Sequence, residues 1–164
     1  MQHEDDRSLG WIALFCFAVF ILALAFFMAG CSRPMEKVVV HHESSAVAAK
    51  LAARLEANDK GGKDYWNGAS PSMAPAILPY DAIVAMPTPY ADLKVGMVCN
   101  YYASWNLDAN GKPKLTCHRI VAVWPDGSFL MEGDAPKEQN TAETKSKMDA
   151  KNYVDRVVSV YRFP

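Results

Sequence analysis

The sequence lacks an excess of charge of either sign. Its 17 basic and 18 acidic residues give a formal net charge of -1 at pH 7 over 164 residues. Proteins that bind nucleic acid carry a basic patch or stripe, so the composition gives no indication of a nucleic-acid partner. The length allows one modest domain with a short N-terminal appendage rather than two full domains.

Paired cysteines and clustered histidines are also missing. The cysteines at 16, 31, 99 and 117 form no Cys-x-x-Cys pair, and the four histidines complete no metal-binding spacing with them. We therefore predict neither a metal site nor a cofactor. Cys99 and Cys117 fall in neighbouring predicted strands, so a disulfide between them is an alternative if the domain lies on an oxidising face of the membrane. We expect both to be buried free thiols, the commoner state of such residues.

One long apolar run stands near the N-terminus, from Trp11 to Gly30, and reads WIALFCFAVFILALAFFMAG. It contains no charge and no proline, and at helical rise it is long enough to cross the hydrocarbon core of a bilayer. It also exceeds the usual core of a cleaved signal peptide. We predict a short tail over 1–10 and a single transmembrane helix or signal anchor over 11–30, with membrane lipid as a partner.

The end of this run allows a second interpretation. The segment Met-Ala-Gly-Cys at 28–31 resembles the lipobox of bacterial lipoproteins, in which the cysteine is acylated and the preceding segment is removed. The flank before the run is acidic over 4–6, whereas signal peptides favour a positive one, and methionine replaces the usual leucine. Lipidation of Cys31 is therefore the alternative, and both interpretations tie the remaining chain to a membrane.

Residues 44–58 predict a helix. They read SSAVAAKLAARLEAN, in which alanine and leucine dominate, and Ser44 or Ser45 can cap the first turn. The glycines at 61 and 62 then interrupt the pattern. We assign 31–64 to a stalk helix and linker without chemistry.

The remaining sequence, 65–164, changes to short runs of branched and aromatic residues separated by turn residues. The runs cover 82–86, 95–103, 115–123, 128–131 and 153–163, and the polar stretch 135–149 predicts a loop or short helix. This pattern predicts a mainly β fold, a partly closed antiparallel β-domain.

A serine between prolines opens this domain, in Ser-Pro-Ser-Met-Ala-Pro-Ala-Ile at 70–77. A serine hydroxyl is a weak nucleophile and needs an adjacent base to take its proton. His118, within CHRIVAV, is the only histidine beyond the stalk. Ser72 and His118 are therefore the candidate nucleophile and base if the fold brings them together.

Five segments, in order, resemble the type I signal peptidase family, which is related to the LexA-type peptidases. They are Ser-Met-Ala-Pro at 72–75, Pro-Tyr-Asp-Ala-Ile-Val at 79–84, Lys-Val-Gly-Met-Val at 94–98, Cys-His-Arg-Ile-Val at 117–121 and Gly-Asp-Ala at 133–135. The histidine form of the fourth segment is that of endoplasmic reticulum, archaeal and some Gram-positive relatives. The resemblance implies a membrane-anchored serine endopeptidase that cleaves precursor polypeptides after small residues.

The resemblance also implies a role for each matching residue. Ser72 attacks the scissile carbonyl, and His118 accepts its proton. The backbone N–H of Ser72 and the hydroxyl of Ser70 hold the developing oxyanion. Met73 and Ile83 contact substrate, although apolar packing explains Met73 equally well. An ordinary histidine pKa near 6.5 predicts an acid limb of the pH–rate profile near that value.

The third member of the catalytic group is the point of departure. Histidine-type relatives place acidic residues six or seven positions after the glycine of the Gly-Asp segment, where this chain has Gln139 and Asn140. Asp134 is our candidate to orient His118, with Glu138 or Glu143 as alternatives. A catalytically degenerate, membrane-tethered β-domain or lipoprotein that acts as a binding module therefore stays open.

Two further questions stay open at this stage. Arg33 and Lys37 follow the apolar run while only Arg7 precedes it, so the positive-inside rule weakly favours a cytoplasmic domain, whereas the resemblance implies the extracytoplasmic face, which we adopt. Self-processing of the LexA type, at 29–30 or in the alanine-rich helix, is a further alternative, although nothing before Tyr65 resembles a helix-turn-helix. The sequence indicates no oligomeric state.

Overall fold

Eight β-strands and one α-helix make up the part of the chain that the computed structural model describes, residues 35–136 and 146–164. The predicted transmembrane helix and Cys31 lie outside these residues. Within them, no helix is both long enough and apolar enough to cross a membrane.

The strands form a single sheet, antiparallel except for one pair. In chain order they are β1 (Val39–His42), β2 (Lys63–Trp66), β3 (Ala82–Met86), β4 (Val98–Leu107), β5 (Pro113–Val123), β6 (Phe129–Glu132), β7 (Ser146–Met148) and β8 (Tyr153–Arg162). The spatial order is β2-β3-β8-β4-β5-β6-β7, with β1 parallel to β8. The mainly β, antiparallel prediction is confirmed.

The predicted partial closure is wrong, because the described sheet is open. Its end strands are β2 and β7, of four and three residues, and no pairing joins them. Closure requires the first and last strands to form a ladder, and strands this short offer few groups for one. Short end strands are also a common protection of open sheet edges.

The helix α1 spans Ala46–Lys60, two residues later than predicted. Ser45 caps it by accepting a hydrogen bond from the backbone N–H of Ala48, and Gly61 ends it in the left-handed conformation that glycine adopts without strain. The alanines at 49, 53 and 57 are buried against β3 and β8. Because alanine has so small a side chain, α1 packs closely on the sheet.

Three strands fall where the sequence predicted other structure. β1 and the first half of β2 lie inside the segment assigned to stalk and linker, and β7 lies near the end of the stretch assigned to a loop or short helix. The run Val38-Val39-Val40 carried a β signal, since branched residues favour strands. β2 crosses the boundary proposed at 64–65 and pairs with β3.

Candidate active site

The segment that carries Ser72 is a compact turn anchored in the core. The N–H of Ala74 donates to the carbonyl of Pro71 at 2.9 Å, and that of Ile77 donates to the carbonyl of Met73 at 2.9 Å. Met73 and Ile77 are buried in a cluster of side chains from β3, β4 and β8. These anchors leave Ser72 half-buried at the edge of the core.

A second contact fixes the Ser72 backbone. The N–H of Ala135 donates to the carbonyl of Ser72 at 3.0 Å. The Gly-Asp-Ala segment at 133–135 therefore touches the serine turn directly, although the two are far apart in sequence. Its role in the described structure is to hold the turn in place.

His118 is 1% exposed and lies in the middle of β5. It is paired in register with Cys99 of β4, and Tyr101 of β4 is opposite Thr116. Tyr101 is thus a diagonal neighbour of His118 on the same face, close enough for an aromatic ring to reach it. The ladder positions the histidine by backbone hydrogen bonds on a rigid strand.

Ser72 and His118 line one cavity of about 350 Å³. Its other lining residues come from the serine turn, the end of β4 and the start of β5: Asn67, Gly68, Ala69, Ser70, Met73, Trp105, Asn106, Lys114, Leu115, Thr116 and Cys117. The fold therefore brings together four predicted site residues, Ser70, Ser72, Met73 and His118. No hydrogen bond of the described residues joins Ser72 to His118.

The cavity runs along an edge of β5. Five consecutive residues, from Lys114 to His118, line it, and successive side chains of a strand point to opposite faces. Only the edge of a strand presents consecutive residues to one space. Within the described residues, β4 occupies the other edge here, and β6 pairs with β5 only from Arg119 onward.

The His118 ring meets uncharged partners. Its Nδ1 is 3.1 Å from the hydroxyl oxygen of Tyr101, and that hydroxyl also contacts the Ser146 hydroxyl. The Trp105 ring stacks on it, with centroids 6.1 Å apart and an interplanar angle of 21°. Among the described residues, the ring therefore contacts a phenol and an indole, and a second hydroxyl, that of Ser146, lies behind the phenol. The alternative acids Glu138 and Glu143 lie outside the described residues.

Asp134 has a different partner from the predicted one. Its two carboxylate oxygens accept from Nε and Nη2 of Arg119 at 2.7 and 2.5 Å. His118 and Arg119 are consecutive in β5, so their side chains point to opposite faces. Asp134 follows Arg119, and no hydrogen bond joins it to His118.

Burial sets the charge state of His118. It lowers the pKa of His118 from its ordinary value near 6.5 to about 4, while the Asp134 charge opposes this shift without cancelling it. Desolvation disfavours the charged imidazolium. His118 is therefore neutral at pH 7, which is the state that a general base requires. For the predicted activity, the acid limb of the pH–rate profile is accordingly expected near pH 4 rather than near 6.5.

The two predicted oxyanion donors bond to each other. The backbone N–H of Ser72 donates to the Ser70 hydroxyl at 3.3 Å. Ser70 is exposed, so its side chain is free to rotate about χ1. Such a rotation would release the Ser72 N–H and turn the Ser70 hydroxyl into a second donor.

The two predicted substrate contacts have different surroundings. Met73 is 3% exposed, packs in the core cluster and also lines the cavity. Ile83 is buried in the same cluster and is not among the residues that line the cavity. Ile83 therefore supports the floor of the serine turn.

Sequence reasoning missed Tyr101, Trp105 and Ser146. The alternation of β4 showed that one of the adjacent tyrosines, Tyr101 or Tyr102, had to face inward, but the choice depends on the register against β5. Ser146 lies in the polar stretch, and no pattern there indicated a contact with the histidine.

Comparisons of the chain with protein-family models, curated proteins and solved structures give no match.

Proposed function

We propose that this chain is a membrane-anchored serine endopeptidase of the signal peptidase kind, in which Ser72 is the nucleophile and His118 its base. The observation that carries the proposal is the shared cavity, because two segments remote in sequence deliver a serine and a neutral histidine to one space. Nucleophile and base in a common cleft are the minimum that acyl transfer needs.

In the proposed reaction His118 accepts the hydroxyl proton as Ser72 attacks the scissile carbonyl. The same ring returns the proton to the leaving amine, and water then releases the acyl group by the reverse sequence. The Ser72 N–H and the rotated Ser70 hydroxyl stabilise the oxyanion. Each donor of this type contributes roughly 3–4 kcal/mol in comparable sites.

The cavity edge suggests how the substrate binds. An extended peptide can add to an unpaired strand edge through main-chain hydrogen bonds, whatever its side chains. The β5 edge from Lys114 to His118 offers such groups beside Ser72. This arrangement supports a precursor polypeptide as substrate, and the preference for small residues comes from the family resemblance alone.

The apolar run over 11–30 supports anchoring in the membrane by one span. In this proposal the described domain works at the extracytoplasmic face, where precursors emerge. The serine–histidine chemistry requires no cofactor.

A second function, a binding module that retains the fold without activity, is favoured by two observations. No hydrogen bond of the described residues joins Ser72 to His118, and the carboxylate predicted to orient the ring, that of Asp134, is engaged by Arg119. Against it, catalytic hydrogen bonds are often long before substrate binds. Acylation of Cys31 would accompany this alternative.

The test is cleavage of a secretory precursor with an Ala-x-Ala site by the full chain in detergent. Ser72→Ala and His118→Gln are compared with Ser44→Ala and His41→Gln, which change the same residue types outside the cavity. We expect cleavage in wild type and both controls, and a loss of at least a thousandfold in both site variants. Equal inactivity of all five proteins across several precursors would favour the binding module.

A further inference from the structure

A chain of two hydroxyls stands behind His118, on the side of its Nδ1. Tyr101 is fully buried, and its hydroxyl contacts both the ring nitrogen, at 3.1 Å, and the Ser146 hydroxyl. Ser146 is 9% exposed and belongs to β7, while Tyr101 belongs to β4. Three strands of one sheet therefore hold histidine, tyrosine and serine in a buried row.

The tautomer of His118 depends on which neighbour receives the single hydroxyl proton of Tyr101. A tyrosine hydroxyl has one proton to donate. If Tyr101 gives it to Ser146, its contact with His118 is a hydrogen bond from Nδ1–H, and Nε2 is bare. If Tyr101 gives it to Nδ1, the ring proton sits on Nε2, and the histidine is unable to accept a proton there.

The geometry is compatible with the first arrangement. The separation of 3.1 Å between Nδ1 and the tyrosine oxygen lies within the range of N–H···O bonds, as donation from Nδ1–H requires. The phenol is also a better proton donor than the aliphatic hydroxyl of serine, as its ordinary pKa near 10 shows. Burial further raises the pKa of Tyr101 to about 12, so the hydroxyl keeps its proton at neutral pH.

We propose that Tyr101 and Ser146 are positioning residues that hold His118 in the Nδ1–H tautomer, with Nε2 free to accept a proton. Ser146 takes the tyrosine proton, so the tyrosine oxygen is left to accept from the ring. The catalytic meaning of this assignment rests on the proposed function, whereas the tautomer itself does not. In this respect two neutral hydroxyls replace the acid that the sequence lacks at 139 and 140.

The direct test is the ¹⁵N NMR spectrum of the full chain in detergent at pH 7, with histidine labelled in the ring. The His118 signals are assigned by their loss in His118→Gln. We expect a protonated Nδ1 and a bare Nε2 in wild type. Ser146→Ala leaves Tyr101 only the ring as acceptor, so we expect the proton to move to Nε2. Ser146→Thr keeps a hydroxyl and should keep the wild-type tautomer.

Activity on the precursor gives a second readout. We expect kcat to fall about a hundredfold in Ser146→Ala, the scale of lost general-base catalysis, with KM little changed. Ser146→Thr should recover most of it. Tyr101→Phe leaves Nδ1 without its partner and should be intermediate, while Tyr102→Phe, at an exposed neighbouring position, should match wild type.

The two proposals fail in different ways. A wild-type ring with its proton on Nε2, or the same tautomer in wild type and Ser146→Ala, overturns the positioning role whatever the activity. A chain that is inert on precursors but shows the Nδ1–H tautomer, and loses it in Ser146→Ala, supports the positioning role and overturns the peptidase.

Discussion

His118 and Arg119 are neighbours in β5, yet their side chains meet opposite surroundings. Arg119 is 5% exposed and is surrounded by oxygen acceptors: the Asp134 carboxylate, and the carbonyls of Gly96 and Glu36 at 2.6 and 2.9 Å. His118 contacts a phenol and an indole, both uncharged. The surroundings of Arg119 therefore stabilise a permanent charge, whereas those of His118 favour a neutral ring.

This difference separates the structural role of Arg119 from the proposed chemical role of His118 within one strand. The ion pair ties β5 to the segment that holds the Ser72 carbonyl, so its charge organises the serine turn from the far face. Within the described part of the chain, no carboxylate is hydrogen-bonded to His118, and such a bond would hold the imidazole protonated to higher pH. In the proposed reaction, His118 would therefore be a neutral base that receives less stabilisation once it is protonated.

The substitution Arg119→Met should cause the largest loss in the free energy of unfolding. Removing one partner of a buried ion pair leaves the other without compensation, at a cost of about 3–5 kcal/mol. Arg119 and Asp134 side chains are 6% and 13% exposed, so solvent screens the pair little. Urea unfolding of the full chain should show this loss, and Arg119→Met with Asp134→Asn should recover part of it. A loss below 1 kcal/mol would show that the pair does not organise this face.

The neutral face should show its own signature in the pH dependence of stability. An unfolded histidine has a pKa near 6.5, whereas the folded His118 has one of about 4. Between these values the unfolded chain binds a proton that the folded chain does not, so stability falls as pH falls from 6.5 to 4. The loss is roughly 3 kcal/mol for a difference of this size.

Urea unfolding at intervals between pH 7 and 4 measures this loss. Carboxylates titrate in the lower part of the same window, so the His118→Gln variant serves as the reference. For each protein, the free energy of unfolding is plotted against pH. We expect wild type to lose more of it than His118→Gln as the pH falls, and this difference is the contribution of His118. Parallel curves would mean that His118 titrates normally and that its face is not protected from charge.

The same contrast predicts the pH–rate profile. A base with an ordinary pKa of 6.5 would retain roughly a thirtieth of its activity at pH 5, while one near 4 would retain nearly all. We therefore expect kcat/KM on the precursor to stay level from pH 7 to 5 and to fall near 4. A limb near 6.5 would contradict the burial of the ring, and one above 8 would argue against His118 as the base.

The sequence predicted those parts of the fold that follow from local chemistry. Alanine content and Ser45 predicted α1, and β3 begins and ends where its branched run does. The roles of Ser72 and His118 follow from the same kind of reasoning, since a weak nucleophile needs a base, and they stay a prediction. The Tyr101 contact was not predictable in this way, because it depends on how β4 is aligned with β5.

The partner of Asp134 shows a signal that was present and not used. His118 and Arg119 were predicted to lie in one strand, and two consecutive strand residues do not share a face. A carboxylate that pairs with Arg119 is thereby directed away from His118. Ser146 had no comparable signal, since its contact arises from the placement of β7 beside β6.

The two cysteines should give the smallest difference in stability between the two sides of β5. Cys99 lies opposite His118 on the same face, and Cys117 precedes His118 and therefore points to the other face. Both are free thiols, but Cys99 is fully buried in the cluster around Tyr101, while Cys117 is partly exposed and lines the cavity. The prediction of a buried thiol is therefore confirmed for Cys99 and wrong for Cys117. Cys99→Ala removes buried volume next to the histidine and should cost about 1 kcal/mol in urea unfolding. Cys117→Ala should cost less than half as much, since the cavity already borders that side chain. Equal costs would mean that the histidine face is packed no more tightly than the cavity edge, and the ring would then be freer to turn than its partners imply.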